Sequence, residues 1–194
     1  MNYQKPKRSR EYLTKDEVEQ LLKAAKDGAT RNPIRDACLL TLLYHHALRV
    51  SELCNLRLSD ITLDGEPIIY VRHQKGEEPS VHPLYKSDVA ALRKWLTIRQ
   101  ELDLDHDYLF CSERRSHMNR ATVNLIITTV SKRAGLAGLR PHPHSLRHAC
   151  GYHLLNETKD LRAVQDYLGH KFLQSTVRYT KLTPGRFKDF GKLF

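Results

Sequence analysis

The spacing of apolar residues most constrains what this chain can fold into. Over most of its length they recur every three or four positions between helix-start and helix-stop signals, as in amphipathic helices packed on a core. Between Gly65 and Tyr85 the spacing becomes extended, with segments at residues 67–72 and 79–84 on either side of a turn. The sequence therefore predicts a mainly helical α+β domain with one small antiparallel sheet.

Capping residues mark where these helices begin. We expect helix starts at Thr14, in a capping box with Glu17, and at Asn32-Pro33, Ser51, Ser87, Asn119, Pro143, Asp160 and Thr183-Pro184. Ser51 is expected to cap a short helix that ends at Leu56, and Ser87 to cap the helix that carries Trp95. A final amphipathic helix over residues 183–194 bears Phe187, Phe190 and Phe194.

Charge indicates the partner. The 194 residues carry a formal net charge of +10, and such an excess of Lys and Arg favours nucleic acid, because neutralising phosphates releases counterions. The first ten residues predict a basic flexible arm that contacts DNA through Lys5, Lys7, Arg8 and Arg10; a solvated tail is the alternative. Four separate cysteines, with no secretory signal and no membrane span, predict reduced thiols and a location in the cytoplasm, on the nucleoid.

Several polar residues form an ordered set, although each alone is weak. Arg49 lies in ALRVSELCNLRLSDI, and Lys75 at the tip of the predicted hairpin. His144 and Arg147 lie in HPHSLRHACGYHLL. His170 ends AVQDYLGH, and Tyr179 follows nine residues later in STVRYTKL.

This order resembles the catalytic domain of the tyrosine recombinase (phage-integrase) family. The family pattern is an arginine in G-L-R-x-S-E-L, a hairpin lysine, H-x-L-R-H, L-G-H and a tyrosine nine residues on. The resemblance covers about residues 11–182 and is greatest to the fimbrial phase-variation DNA invertases. It implies a catalytic domain over residues 11–182 between the basic arm of residues 1–10 and the helix of residues 183–194, which would dock into a neighbouring subunit or close its own core.

The resemblance also implies a role for each residue. Tyr179 would be the nucleophile that forms a 3′-phosphotyrosyl bond with DNA, and Arg49 and Arg147 would clamp the non-bridging oxygens, for which planar charged guanidinium groups are suited. Lys75 would protonate the leaving 5′-oxygen. His144 would accept the tyrosine proton, and His170 would donate a hydrogen bond to the phosphate. Glu52 and His148 would support these catalytic residues, and Arg72 would contact DNA.

No metal ion, ATP or other cofactor is implied, because the arginines supply the electrostatic stabilisation. His144 and His148 do have the i, i+4 spacing of a zinc pair. Arg147 between them would repel a cation, and no H-E-x-x-H motif is present, so we disfavour a metal site.

The implied partners are double-stranded DNA with inverted-repeat sites, three further copies of the chain in a homo-tetramer, and accessory DNA-bending proteins. Family members commonly carry an N-terminal helical domain that clamps the duplex, and fewer than fifteen residues precede the first capped helix here. The predicted function is inversion of a promoter-bearing DNA segment. The alternatives are integration or excision of a mobile element, a catalytically silent DNA-binding regulator and, less favoured, a metal-dependent nuclease.

Overall fold

A computed structural model describes residues 12–73, 78–170 and 174–180, which form a helical domain with one small sheet. The helices are α1 (Lys15–Lys26), α2 (Pro33–His45), α3 (Val50–Asn55), α4 (Lys86–Glu101), α5 (Arg120–Arg133), α6 (Pro143–Thr158), α7 (Leu161–Tyr167) and α8 (Gln174–Thr180). The strands are β1 (Ile61–Thr62), β2 (Ile68–Val71) and β3 (Ser80–Pro83). The predicted fold class is confirmed.

The sheet is antiparallel in the order β1-β2-β3. Ile69 of β2 pairs with both Ile61 of β1 and His82 of β3, so β2 is the central strand. The two predicted strands are confirmed, whereas β1 was not predicted. Two residues are too few for an alternating pattern to appear in the sequence.

Three of the predicted helix starts are confirmed by the capping hydrogen bonds of the expected residues. Thr14 and Glu17 form a reciprocal capping box at the start of α1. The Asn119 side chain accepts a hydrogen bond from the backbone of Thr122, and Asp160 caps α7 in the same way. These short polar side chains satisfy amide groups that the first turn of a helix leaves unpaired.

Two predicted N-caps are wrong. The N-cap of α3 is Arg49 rather than Ser51, because the Glu52 carboxylate accepts the Arg49 backbone N–H at 2.6 Å. The N-cap of α4 is Tyr85 rather than Ser87, because Asp88 accepts its backbone N–H at 2.8 Å. In both helices an acidic residue in the first turn satisfies the amide group, so the serine lies inside the helix.

The core has two apolar clusters. The larger one surrounds α2, which is buried along nearly its whole length. The smaller one joins Ala47 to residues of α6, α7 and α8, including Leu168 and Tyr179. The four cysteines are free and buried, as predicted. In the described part of the chain no helix has the length and apolarity needed to cross a membrane.

Three predicted features lie outside the described residues. They are the basic arm with Lys5, Lys7, Arg8 and Arg10, the hairpin tip with Lys75, and the C-terminal segment with its three phenylalanines.

The buried position of α2 gives a stability prediction. Leu40 is fully buried, whereas Ile34 in the same helix is 41% exposed. We expect Leu40→Ala to lower the free energy of unfolding by about 3 kcal/mol, because it leaves a cavity in the core. Ile34→Ala, the matched control, should change it by less than about 0.5 kcal/mol. Urea denaturation followed by circular dichroism measures both values, and equal losses would contradict the assignment of α2 as the core helix.

Candidate active site

A buried carboxylate joins the two arginines that the sequence singles out. Arg49 donates from Nη1 to Oε1 of Glu52 at 2.8 Å. Nη1 of Arg147, on α6, lies 3.8 Å from Oε2 of Glu52. The Glu52 and Arg147 side chains are each 3% exposed. The structure therefore brings together two arginines that stand almost one hundred residues apart in the sequence.

Backbone carbonyl groups fix the Arg147 guanidinium. It donates to the carbonyl oxygens of Ala47, which opens the first arginine motif, and of Leu168, which precedes the glycine of L-G-H. Ala47 has a φ of 49°, in the left-handed region. The family pattern has glycine at this position, and alanine costs about 1 kcal/mol more in that conformation. The guanidinium thus ties the α2–α3 and α7–α8 connections to α6.

The environment of Glu52 keeps it ionised. Burial alone would raise the pKa of this carboxyl group. Hydrogen bonds from His73 and from the Arg49 backbone, together with the charges of Arg147 and Arg49, outweigh burial and hold the pKa below its ordinary value of 4.5. A negative charge therefore remains between the two arginines at neutral pH.

An open cavity of about 200 Å³ lies beside this cluster. Its described lining includes three arginines, Arg49, Arg120 and Arg147, with His144, and contains no acidic residue. Pro143, at the start of α6, also lines it. Guanidinium groups and a helix start at one small cavity suit a phosphate group.

Tyr179 packs against α6. The side chain is almost completely buried, and its hydroxyl lies 2.8 Å from Nδ1 of His148. A Cβ atom at Gly151 would lie 3.0 Å from two atoms of the Tyr179 ring, closer than ordinary van der Waals contact. Any side chain at this position would therefore crowd the ring. Tyr179 is not among the described residues that line the cavity.

The histidine bonded to Tyr179 differs from the expected one. The family resemblance implied His144 as the partner of the hydroxyl, whereas the hydrogen bond in the structure is to His148. The two histidines are one helical turn apart on α6, and their ring centroids are 4.1 Å apart. His144 is the exposed one of the two and lines the cavity. A choice between residues at i and i+4 depends on how the helix is rotated against its neighbours, which spacing alone does not determine.

His170 follows the left-handed turn at Gly169, whose φ is 60°. Its Nδ1 lies 2.8 Å from Oγ1 of Thr176 on α8. Gln165 donates a side-chain hydrogen bond to the His170 carbonyl at 2.8 Å. His170 therefore links α7 to the helix that carries Tyr179.

Arg72 is engaged within the protein. Two of its guanidinium nitrogens lie 2.6 Å from the two carboxylate oxygens of Asp60, and it packs over the Tyr70 ring. The DNA contact expected of Arg72 would compete with this ion pair. Lys75 lies outside the described residues.

Sequence reasoning missed two residues of the site. Arg120 stands just after the N-cap of α5, where a basic residue in the first turn is an unusual choice that could have been noticed. His73 bonds to Glu52 at 3.0 Å, and nothing in its local sequence indicates that contact. Within residues 12–73, 78–170 and 174–180, no group of three or more His, Cys, Asp or Glu side chains is placed to hold a metal ion.

The ionised state of Glu52 gives a pH prediction. We expect Glu52→Gln to lower the free energy of unfolding at pH 7 by about 3 kcal/mol, because it leaves two buried or half-buried arginines without their anion. A lowered folded-state pKa stabilises the fold above the unfolded-state pKa, and this stabilisation is lost as the pH falls through the lower folded value. The difference between wild type and Glu52→Gln should therefore shrink below pH 4.5.

Urea denaturation over this pH range measures that difference. Glu101→Gln, at an exposed position at the end of α4, is the matched control and should have little effect at any pH. A destabilisation by Glu52→Gln that stays constant down to pH 3.5 would show that its charge does not contribute.

Comparison with known proteins agrees with this geometry. The profile of the Phage integrase family matches residues 11–186. The chain is 41% identical over 181 residues to the type 1 fimbriae regulatory protein FimB of Escherichia coli strain K12, covering 93% of this chain and 88% of that protein.

Solved structures show the same fold. The crystal structure of the XerA recombinase superposes with a TM-score of 0.82 at 32% identity, over 100% of this chain and 66% of the other. The XerH site-specific recombinase bound to palindromic difH substrate, in a post-cleavage complex, gives a TM-score of 0.82 at 25% identity. That match covers 93% of this chain and 52% of XerH, so this chain spans about half of XerH. The chain belongs to the phage integrase family and is a tyrosine-type site-specific recombinase that acts on DNA.

Proposed function

We propose that this chain cleaves and rejoins double-stranded DNA by attack of Tyr179 on a phosphate held in the arginine-lined cavity. The observation that carries the proposal is the cavity itself. It is large enough to admit a phosphate group, and two of its arginines are fixed in advance by buried Glu52. In this proposal the catalytic domain is residues 11–182. It lies in the sequence between a DNA-contacting arm of residues 1–10 and a docking helix of residues 183–194.

Arg49 and Arg147 stabilise the transition state. Attack on a phosphodiester builds negative charge on the two non-bridging oxygens, and guanidinium groups already in position stabilise that charge without reorganising. Removing one such donor typically costs about 3 kcal/mol, or 100- to 1,000-fold in rate. His144 at the cavity wall and His170 near α8 add hydrogen bonds to the same phosphate.

The covalent step conserves the phosphodiester bond energy. The bond from the Tyr179 oxygen to phosphorus forms as the bond from phosphorus to the 5′-oxygen breaks. The tyrosine proton passes to His148, its hydrogen-bond partner, and His144, whose ring contacts His148, is the alternative acceptor. Lys75 protonates the leaving oxygen, and reversal of these steps with a new 5′-hydroxyl rejoins the strand without ATP.

The buried position of Tyr179 separates DNA binding from cleavage. Its hydroxyl points to His148, and His144 stands between that contact and the cavity. Attack therefore requires α8 to shift so that the hydroxyl reaches the phosphate. The Tyr179–His148 hydrogen bond keeps the nucleophile protected until then.

The biological role proposed is inversion of a promoter-bearing segment for phase variation on the bacterial nucleoid. Identity of 41% to a fimbriae regulatory protein over nearly the whole chain supports it. The XerH complex with a palindromic substrate supports inverted-repeat DNA sites. Pairing of two such sites needs four copies of the chain, and accessory DNA-bending proteins would strengthen that complex.

The central test is a covalent protein–DNA band. Nicked duplexes bearing the chain's sites, incubated with wild type in EDTA, should give an adduct that persists in denaturing gel electrophoresis. Tyr179→Phe should give none, because the nucleophilic oxygen is absent. Tyr70→Phe, at an exposed tyrosine on β2, is the matched control and should retain the adduct. An adduct with Tyr179→Phe, or one that forms only with a divalent metal, would contradict the mechanism.

Arg120 is expected to contact the DNA backbone. Among the described residues no carboxylate lies within ion-pair distance of it, and it lines the cavity. We expect Arg120→Ala to weaken DNA binding and to reduce the slope of log affinity against log salt by about 0.9, the value for one lost phosphate contact.

Fluorescence anisotropy at several salt concentrations measures this slope. Arg133→Ala, at the opposite end of the same helix, is the control and should leave the slope unchanged. Equal effects of the two substitutions would show that Arg120 contributes only through net charge.

A further inference from the structure

We propose that His73 is a positioning residue of the active site: held in one tautomer by Ser80 and His82, it orients the Glu52 carboxylate and through it Arg49 and Arg147. The inference rests on the proposed phosphate chemistry of those two arginines. It assigns a role to a hairpin residue that neither the sequence pattern nor the family resemblance singled out.

The contacts form a continuous chain of hydrogen bonds. Nδ1 of His73 lies 3.0 Å from Oε1 of Glu52, and Nε2 lies 2.9 Å from Oγ of Ser80. The same Oγ lies 2.9 Å from Nε2 of His82. The His73 side chain is only 2% exposed, and the Glu52 side chain 3%. Water therefore does not compete for these bonds.

The charge of Glu52 fixes the direction of the first hydrogen bond, and the directions of the other two follow for a neutral His73 ring. An ionised Glu52 can only accept, so Nδ1 of His73 carries a proton. In the neutral ring Nε2 then accepts from the Ser80 hydroxyl, whose oxygen accepts from Nε2–H of His82. The other His82 nitrogen, Nδ1, has no partner among the described residues, which fits a neutral ring whose buried surroundings lower its pKa to about 3.

The chain joins the base of the hairpin to the arginine pair. His73 comes two residues after the end of β2, and Ser80 begins β3, where it pairs with Val71. Residues 74–77, which include Lys75, connect the two sides. A shift of the hairpin base would therefore be transmitted through His73 to Glu52 and to the two arginines that Glu52 binds.

His73 also contacts the turn that precedes His170. A Cβ atom at Gly169 would lie 2.4 Å from Nε2 of His73, so glycine is required there for two reasons, this contact and a φ of 60°. The ring therefore lies where the hairpin, the carboxylate of α3 and the L-G-H turn meet. Its shape and its hydrogen bonds both limit what can replace it.

Three substitutions distinguish positioning from packing. The amide of His73→Asn can occupy the place of Nδ1 and donate to Glu52, whereas that of His73→Gln reaches the place of Nε2 and Ser80. His73→Leu supplies neither bond. We expect single-turnover adduct formation at saturating DNA to fall about tenfold or more in the Leu and Gln variants, the size expected when a buried hydrogen bond to a charged group is lost. His73→Asn should recover most of the rate.

DNA affinity and melting temperature complete the measurement. The dissociation constant should change less than about threefold in all three variants, because the surface charge is unaltered. A melting temperature that falls equally for Asn and Gln, together with equal losses of rate, would overturn the positioning role. A parallel loss of affinity and rate would overturn it as well.

The tautomer of His73 can be measured in the wild-type protein without any reaction. Long-range ¹H–¹⁵N NMR should show a neutral ring with the proton on Nδ1, and Ser80→Ala should shift the Nε2 resonance. A ring protonated on Nε2 alone would overturn the inference even if adducts form. If the wild type shows the expected tautomer but forms no adduct, the proposed function fails and the hydrogen-bond chain stands.

Discussion

The buried charge of Glu52 is the interaction on which the rest of the site depends. A carboxylate that is nearly removed from water remains ionised only if donors and positive charges surround it. Here Arg49, Arg147 and His73 provide them from three separate parts of the chain. The start of α3, the first turns of α6 and the end of β2 must therefore come together for this carboxylate to be buried in its ionised form. The cluster of charges proposed to bind the phosphate therefore also stabilises the fold.

The proposed phosphate clamp and the proposed nucleophile are held by different interactions. Glu52 belongs to the part of the fold built on α2 and α3, and the arginines it binds face an open cavity. Tyr179 belongs to the smaller apolar cluster, against Gly151 and Leu168, with its hydroxyl on His148. The Arg147 guanidinium bridges the two through the carbonyl groups of Ala47 and Leu168. A rigid phosphate site beside a separately anchored tyrosine suits an enzyme that should cleave only after DNA is bound.

Local signals in the sequence predicted much of the fold. Capping residues such as Thr14, Asn119 and Asp160 determine helix starts because their hydrogen bonds span only two or three residues. The same reasoning failed at Ser51 and Ser87, where an acidic side chain one residue further on satisfies the amide group instead. The hydrogen bond between Tyr179 and His148 was not predicted either, since His144 and His148 stand one turn apart on the same helix. The tyrosine's contact with His148 depends on how α6 packs against α8.

The sequence by itself determined the family, the helical class with its hairpin, and the identity of the residues in the ordered set, because each of these is written in short motifs and in local spacing. Only the tertiary structure decided which of those residues share a carboxylate, which histidine bonds to Tyr179, and that Arg120 and His73 belong to the site. Those facts depend on contacts between residues far apart in the chain. Such contacts depend on how buried surfaces pack together and on the free-energy cost of burying an unpaired charge. Neither can be recognised in a single short segment of the sequence.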